Sequence, residues 1–181
     1  MQEIRKKYYR RSPQFIPKTY ESTKLAYLAG IIDGEGCLYI GQASRAYNGK
    51  IVRHHRGLIK IDNTDESLIE WLSINFEGVN SARTRWTSKR AFERTIHTWV
   101  VTGDKLLELC HAILPYLVIK KRHCENMIKF RETFTNKIGQ HTSPPEEAQL
   151  IREECLLISR NLNSRWHNHS LKNPSPLSPV S

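Results

Sequence analysis

No apolar run in the chain approaches the roughly 20 residues that a membrane-spanning helix needs, so a membrane-spanning reading is out. Cysteine is scarce and scattered. Cys37, Cys110, Cys124 and Cys155 include no C-x-x-C pair, which argues against a structural zinc site of the usual spacing. With 39% hydrophobic residues, the 181-residue chain can build a core without disulfide staples. Four scattered thiols suit a reducing compartment. The N-terminal segment lacks the apolar stretch of a secretory signal, and Glu3, three aromatics, Pro13 and Pro17 argue against a transit peptide. Acidic residues are the other shortage. Asp plus Glu number 18 against 28 Lys plus Arg, a net charge of +10. That excess in one small domain points to an anionic partner, nucleic acid first and an anionic membrane surface second. The membrane-surface reading is weakened because no Lys-rich amphipathic helix carries Trp or Phe opposite its charges.

Residues 1–21 read as a basic arm, 22–162 as one domain, and 163–181 as a disordered polar tail. Ser22 or Thr23 can cap a first helix, in which Leu25, Leu28, Ala29 and Ile32 recur at helical spacing. Tyr27, Gly30, Ile31 and Gly34 give it a second small or apolar face. A helix apolar on two sides must bury both. Gly34 and Gly36 end it. Cys37–Ala43 predicts a strand, Ser44–Lys50 a long polar connection containing Asn48-Gly49, and about Ile51–Asp62 a return strand. Asn63-Thr64-Asp65 reads as a turn and cap before a helix bearing Leu68, Ile69, Leu72 and Phe76.

A second hairpin follows, Ser81–Thr87 and Arg94–Thr102 around a basic turn, and then a short helix after Gly103-Asp104. Pro115 interrupts the chain before a helix over Lys120–Phe134. Pro144-Pro145-Glu146-Glu147 signals the start of a last helix that ends near Leu162. Strand pairs alternating with helices predict an α+β fold with an antiparallel sheet. No second copy of the first helix's motif occurs.

Leu28-Ala-Gly-Ile-Ile-Asp-Gly-Glu-Gly36 closely resembles the signature of the LAGLIDADG homing endonuclease family. Leu114-Pro-Tyr-Leu-Val-Ile-Lys-Lys121 is similar to the family's segment before its late helix. The resemblance covers about Thr23–Phe134. It implies an αββαββα core with a saddle-shaped antiparallel sheet and additional C-terminal helices. The residues agree with it. Gly30 and Gly34 let two helix backbones approach closely, and Glu35 then puts a carboxylate where such helices end. Two carboxylates brought together repel unless a divalent cation sits between them. Hard oxygen ligands suit Mg²⁺, with Mn²⁺ as an alternative, for metal-assisted phosphodiester hydrolysis.

By resemblance, Glu35 matches the family's metal-binding acid and the Gly34 carbonyl a supporting ligand. The family's single-motif enzymes usually carry Asp at this position. Asp33 fits a hydrogen-bonding role at the helix end better than ligation. Asn63 matches a polar residue that holds active-site water, and its residue type equally fits an Asx turn. Lys120 matches a basic residue near the scissile phosphate, where an ammonium can polarise water or neutralise charge, against a solvated lysine at a helix start. The family's basic residue four positions after Asn63 is Ser67 here.

Strand alternation sorts the side chains into two faces. Tyr39, Gly41 and Ala43 share one face of the first strand, with Leu38 and Ile40 on the other. His54, Arg56, Leu58 and Lys60 align on the second strand, with Ile59 and Ile61 opposite. Arg83 and Arg85 align in the second hairpin, as do Arg94, Ile96 and Thr98, while Trp99 and Val101 fit the core. A face of Arg, Lys and small apolar groups can read major-groove edges, and loops Ser44–Arg53 and Ser88–Arg94 would reach phosphates. The density of Arg favours this over a merely solvated sheet face. Trp71 also fits the core, and no pattern places Trp86 or Trp166. His167-Asn168-His169 spells an H-N-H triplet, but in a polar tail without a ββα-metal context.

One motif in one chain predicts a homodimer, since cutting both strands of a duplex needs two active sites. Tyr27, Gly30, Ile31 and Gly34 would form the seam, and two-fold symmetry would match a long pseudo-palindromic target. The resemblance implies a site-specific, intron-encoded DNA endonuclease that leaves short 3′ overhangs. It would act inside a prokaryotic cell, chloroplast or mitochondrion. A non-catalytic DNA-binding regulator or an RNA-splicing maturase on the same scaffold is the alternative.

Overall fold

A computed structural model describes residues 20–47, 50–85, 94–134 and 145–168. The elements are α1 (Ser22–Gly34), β1 (Cys37–Tyr47), β2 (Lys50–Asn63), α2 (Glu66–Asn75), β3 (Val79–Arg85), β4 (Arg94–Thr102) and α3 (Gly103–Ile113). A 3₁₀ turn (Leu114–Tyr116), α4 (Lys121–Arg131) and α5 (Glu146–Asn168) follow. The four strands form one antiparallel sheet in the order β1-β2-β4-β3, giving the expected α+β class. Among the described residues no helix is long and apolar enough to cross a membrane.

Alternation splits the sheet as its sequence dictates. Leu38, Ile40, Ile59, Ile61, Trp99 and Val101 are buried beneath the helices. The helices add Leu25, Leu28, Ala29 and Ile32 from α1, Ile69 and Leu72 from α2, and Leu106, Leu109, Cys110 and Ile113 from α3. Phe76, Leu117, Cys124, Met127, Phe130, Cys155 and Leu156 join this core. Trp71 is half-buried, stacked edge-on between Tyr27 and Phe76. Tyr20 also packs on Phe76. The outer edge of β1 meets a helix near Ile40. α5 lies against it, and the Ile40 N–H donates to Ser159 Oγ at 3.3 Å. That bond satisfies one outward-facing N–H of the edge strand.

Several boundaries depart from the sequence reading, among them the start of β3 at Val79 rather than Ser81 and the end of β2 at Asn63 rather than Asp62. The polar stretch Ser44–Tyr47 continues β1, because antiparallel pairing such as Ser44↔Arg53 and Tyr47↔Lys50 satisfies the backbone whatever the side chains. Ser44–Arg53 is therefore mostly a long hairpin, not a loop. Lys120 precedes α4, which ends at Arg131. α5 runs to Asn168, six residues beyond the expected end at Leu162, so Asn163–Asn168 are helical rather than part of a polar tail. The arm up to residue 19, the turn at positions 48–49, most of the Ser88–Arg94 loop, Trp86 and the tail from 169 lie outside the described residues. Trp166 lies within α5.

Candidate active site and nucleic-acid interface

The chemistry-bearing residues converge where α1 ends. The Glu35 N–H continues the helix, donating to the Ile31 carbonyl at 2.8 Å, and the Gly36 N–H turns back to Ile31 and Ile32. A Cβ at Gly36 would lie 2.7 Å from the Ile32 Cα, so only glycine lets the chain fold back this tightly. That fold-back releases the exposed Glu35 side chain toward the end of β2. There Asn63 Nδ2 donates to Glu35 Oε2 at 2.9 Å, while Asn63 Oδ1 accepts from the Asp65 N–H at 2.8 Å. Asn63 thus makes the Asx turn before α2 and is also the partner of Glu35.

Asp33 fills the hydrogen-bonding role that its position suggests. Its carboxylate accepts from the Val118 and Lys120 N–H groups, both at 2.8 Å. Burial pulls its pKa up most strongly. The N–H donors of Val118, Lys120 and Ile119, with the Lys120 charge, outweigh that and leave it below the usual value. The Lys120 ammonium reaches back to the same helix end, donating to the Ile32 carbonyl at 2.7 Å and the Asp33 carbonyl at 2.9 Å. It caps the negative end of the α1 dipole. Burial lowers its pKa, against the opposing charges of Asp33 and Cys37. A desolvated ammonium on one wall and an oriented carboxylate on the other thus share one helix terminus. Ser67, which stands where the family has a basic residue, belongs to the helix cap instead, its N–H and hydroxyl both donating to Asp65 Oδ1.

The residues expected to form a dimer seam lie on α1's outward side. Tyr27 is 56% exposed, Gly30 and Gly34 are exposed, and Ile31 is half-buried. A Cβ at Gly30 or Gly34 would meet nothing within 4 Å, so nothing in the described fold itself requires glycine there.

The sheet face away from the core carries the other predicted residues. Across β1 and β2 the opposed pairs are Tyr39↔Leu58, Gly41↔Arg56 and Ala43↔His54. Arg83↔Ile96 pairs across β3 and β4 on the same face, and Arg85↔Arg94 is the register pair two positions further along. His54, Arg56, Ala43 and Arg83 are exposed, and Leu58, Lys60 and Ile96 are half-buried. Two residues are less available than expected. Gly41 is buried because the Tyr39 ring lies over it. Thr98 is only 5% exposed, its hydroxyl donating to Asp62 Oδ1 at 2.5 Å, so it serves Asp62 rather than offering a base contact.

Asp62 is the residue that sequence reasoning passed over. Two positions after Lys60, it shares this face, and alternation alone would have placed it there. Burial raises its pKa most, but the hydrogen bonds from Lys60 and Thr98 and the charges of Lys60 and Arg83 bring it below the usual value.

No family model and no curated protein matches the chain. Solved structures do. The homing endonuclease I-CvuI, in complex with its target in the presence of Ca, is 16% identical with a TM-score of 0.54, over 88% of each chain. The archaeal intron-encoded homing endonuclease I-Vdi141I, complexed with DNA, is 13% identical with a TM-score of 0.50, over 81% of this chain and 98% of that one. The LAGLIDADG homing endonuclease I-GzeII, in complex with a DNA target, is 18% identical with a TM-score of 0.51, over 90% of this chain and 54% of that one. Together with the Leu28–Gly36 motif, which forms the C-terminal part of α1 and the turn after it, these likenesses give the chain the fold of the LAGLIDADG homing endonucleases.

Proposed function

We propose that the protein is a site-specific homing endonuclease that cuts both strands of a DNA target as a homodimer. The observation that carries this reading is the gathering of Glu35, Asn63 and Lys120 at one end of a helix whose outer face is open, beside a basic sheet face. The DNA-bound state of the structural neighbours supports it. The sheet face would grip the duplex through phosphates and base edges. Glu35, Asn63 and Lys120 would then face the scissile bond.

A divalent cation fits the donor set as half a site. Glu35 offers an exposed carboxylate, and the Gly34 carbonyl is a second hard oxygen. Among the described residues no cluster of three His, Cys, Asp or Glu stands ready to hold a metal. Glu35 is one carboxylate, and a second Glu35 from a partner chain across the proposed seam would add another. Mg²⁺ or Mn²⁺ bound there supplies an activated water and charge neutralisation at the phosphate. The protein's own share is orientation and charge. Asn63 fixes the rotamer of Glu35, Lys120 places positive charge beside the phosphate, and Asp33 anchors the Lys120 segment.

The test is plasmid DNA carrying the native insertion site, incubated with protein and Mg²⁺. Linear product with short 3′ overhangs is expected from wild type. Glu35→Gln should bind equally well and cut slower by about 10³-fold, the worth of several kcal/mol of transition-state stabilisation. Tight binding without any linear product would instead mark a DNA-binding regulator.

A further inference from the structure

Asp62 lies on the sheet face proposed to meet DNA, one residue before the Asn63 that ends β2, where a carboxylate is out of place electrostatically. It repels any phosphate that approaches. Its surroundings show what it does there. On β2, Lys60 Nζ donates to Asp62 Oδ2 at 2.5 Å. From β3, Arg83 Nη2 donates to the same oxygen at 3.4 Å. Between them on β4, Thr98 lies directly opposite Asp62 and donates to its other oxygen. One carboxylate thus ties together side chains from three adjacent strands. Neither cation is consumed by it: the Lys60 side chain remains 31% exposed and that of Arg83 60% exposed. Lys60 keeps two further donor hydrogens and Arg83 most of its five.

We infer that Asp62 is a specificity-determining residue, which fixes the directions of Lys60 and Arg83 so that their remaining donors read particular base edges. The inference rests on the DNA-binding reading above. An unpinned Lys or Arg on a surface follows whichever phosphate or base is near, and binds all sequences alike. A pinned one presents its remaining donors at one place, and the wrong base there leaves them unpaired. The carboxylate also weakens binding to every sequence, a penalty that cancels from the ratio of matched to unmatched sites, so the discrimination comes from the pinned donors. Asp62 acts through Lys60 and Arg83 and is a positioning residue.

The test is selection of binding sites from a library of random-sequence duplexes by the full chain. Wild type, Asp62→Asn and Arg83→Gln are compared, each also titrated with unselected DNA. Asp62→Asn keeps the shape and an acceptor for Thr98, so a purely structural role would leave the selected motif unchanged. The expected result is one long motif for wild type. In Asp62→Asn the preference at a few neighbouring positions should fall by about ten-fold, while affinity for unselected DNA rises. Arg83→Gln should blur overlapping positions. Identical motifs for wild type and Asp62→Asn would overturn the inference and leave the DNA-binding reading standing. If Asp62→Asn does not fold, the exposed Arg83→Gln decides alone, and an unblurred motif there overturns the inference. A wild type that enriches no motif overturns the site-specific reading itself, and this inference with it.

Discussion

Asp33 and Lys120 hold each other from both directions. The Lys120 N–H donates to the Asp33 carboxylate at 2.8 Å, and the Lys120 ammonium donates back to the Asp33 carbonyl at 2.9 Å. These contacts fasten the end of α1 to the segment before α4. Asp33→Ala should therefore destabilise the fold by about 2 kcal/mol, through the loss of two charge-assisted hydrogen bonds. Cleavage should fall as well, because Lys120 and Glu35 lose their common mount. Urea denaturation of the variant beside Glu35→Gln checks this. The exposed Glu35 variant should unfold within about 0.5 kcal/mol of wild type.

Lys120 has two separable roles. As a cap on the negative end of a helix it is worth about 1 kcal/mol. As a charge beside the scissile phosphate it is worth far more in rate. Lys120→Met keeps the aliphatic stem and removes both. Stability should drop by about 1 kcal/mol while cleavage drops by at least about a hundred-fold. If the loss of cleavage merely follows the loss of folded protein, Lys120 is a structural cap alone.

Much of this was legible in the sequence because the chemistry is tied to local pattern. Alternation in Leu38–Ile40 and Ile59–Ile61 assigned the two faces of the sheet, and helical spacing from Leu25 to Ile32 assigned the buried side of α1. Glu35 was singled out because Leu28–Gly36 resembles the LAGLIDADG signature, whose metal-binding acid it matches. What stayed hidden depends on partners distant in sequence. Nothing near Lys120 announces that its ammonium lies on carbonyls 87 and 88 positions earlier. Asp62 looked like the end of a strand until Arg83, 21 residues on, came to rest beside it. The length of β1 was missed for the opposite reason. Its pairing is a backbone property, to which the polar side chains of Ser44–Tyr47 are indifferent.

The dimer seam can be tested through its glycines. Gly30 lies mid-helix, where alanine is more favourable than glycine by about 1 kcal/mol, and a Cβ there meets nothing within the described fold. Gly30→Ala should thus leave the folded chain as stable as before or slightly more so. Any loss of assembly must then come from a second copy pressing on that face. Sedimentation should show dimer for wild type. Gly30→Leu, with a larger obstruction, should sediment as monomer and lose double-strand cleavage. A Gly30→Leu protein that remains dimeric would put the seam elsewhere.

Acid should weaken the fold through two histidines. Burial, then the nearby Arg152, pushes His55 below its ordinary pKa of 6.5, with Glu153 opposing. Burial, then Lys120 and Arg122, does the same to His123, against hydrogen bonds involving Asn163 and Leu162. A histidine whose folded pKa is depressed gives up stability as pH falls. The unfolded chain takes the proton near pH 6.5, and the folded chain resists until its own lower pKa is reached. Full stability is therefore expected above about pH 7, with a decline from there downward. Melting temperatures from pH 7.5 to 5.5 should show that decline, and a His55→Gln, His123→Gln double variant should flatten it.

Salt should act on binding more strongly than on folding. The chain carries +10, so a dimer brings +20 to one duplex. Each phosphate neutralised releases condensed counterion, and log K falls with log salt at a slope of about −0.9 per contact. An interface with about 6–10 phosphate contacts would lose about 10³–10⁵ in affinity between 50 and 200 mM salt. Arg56 separates the two kinds of contact. It is exposed in mid-sheet, opposite the Gly41 that Tyr39 covers, where a base edge rather than a phosphate should meet it. Arg56→Gln should then lower the ratio of target to unselected binding by about ten-fold while leaving the salt slope within about one contact of wild type. A slope that falls by a full contact, with the ratio unchanged, would move Arg56 to the phosphate backbone.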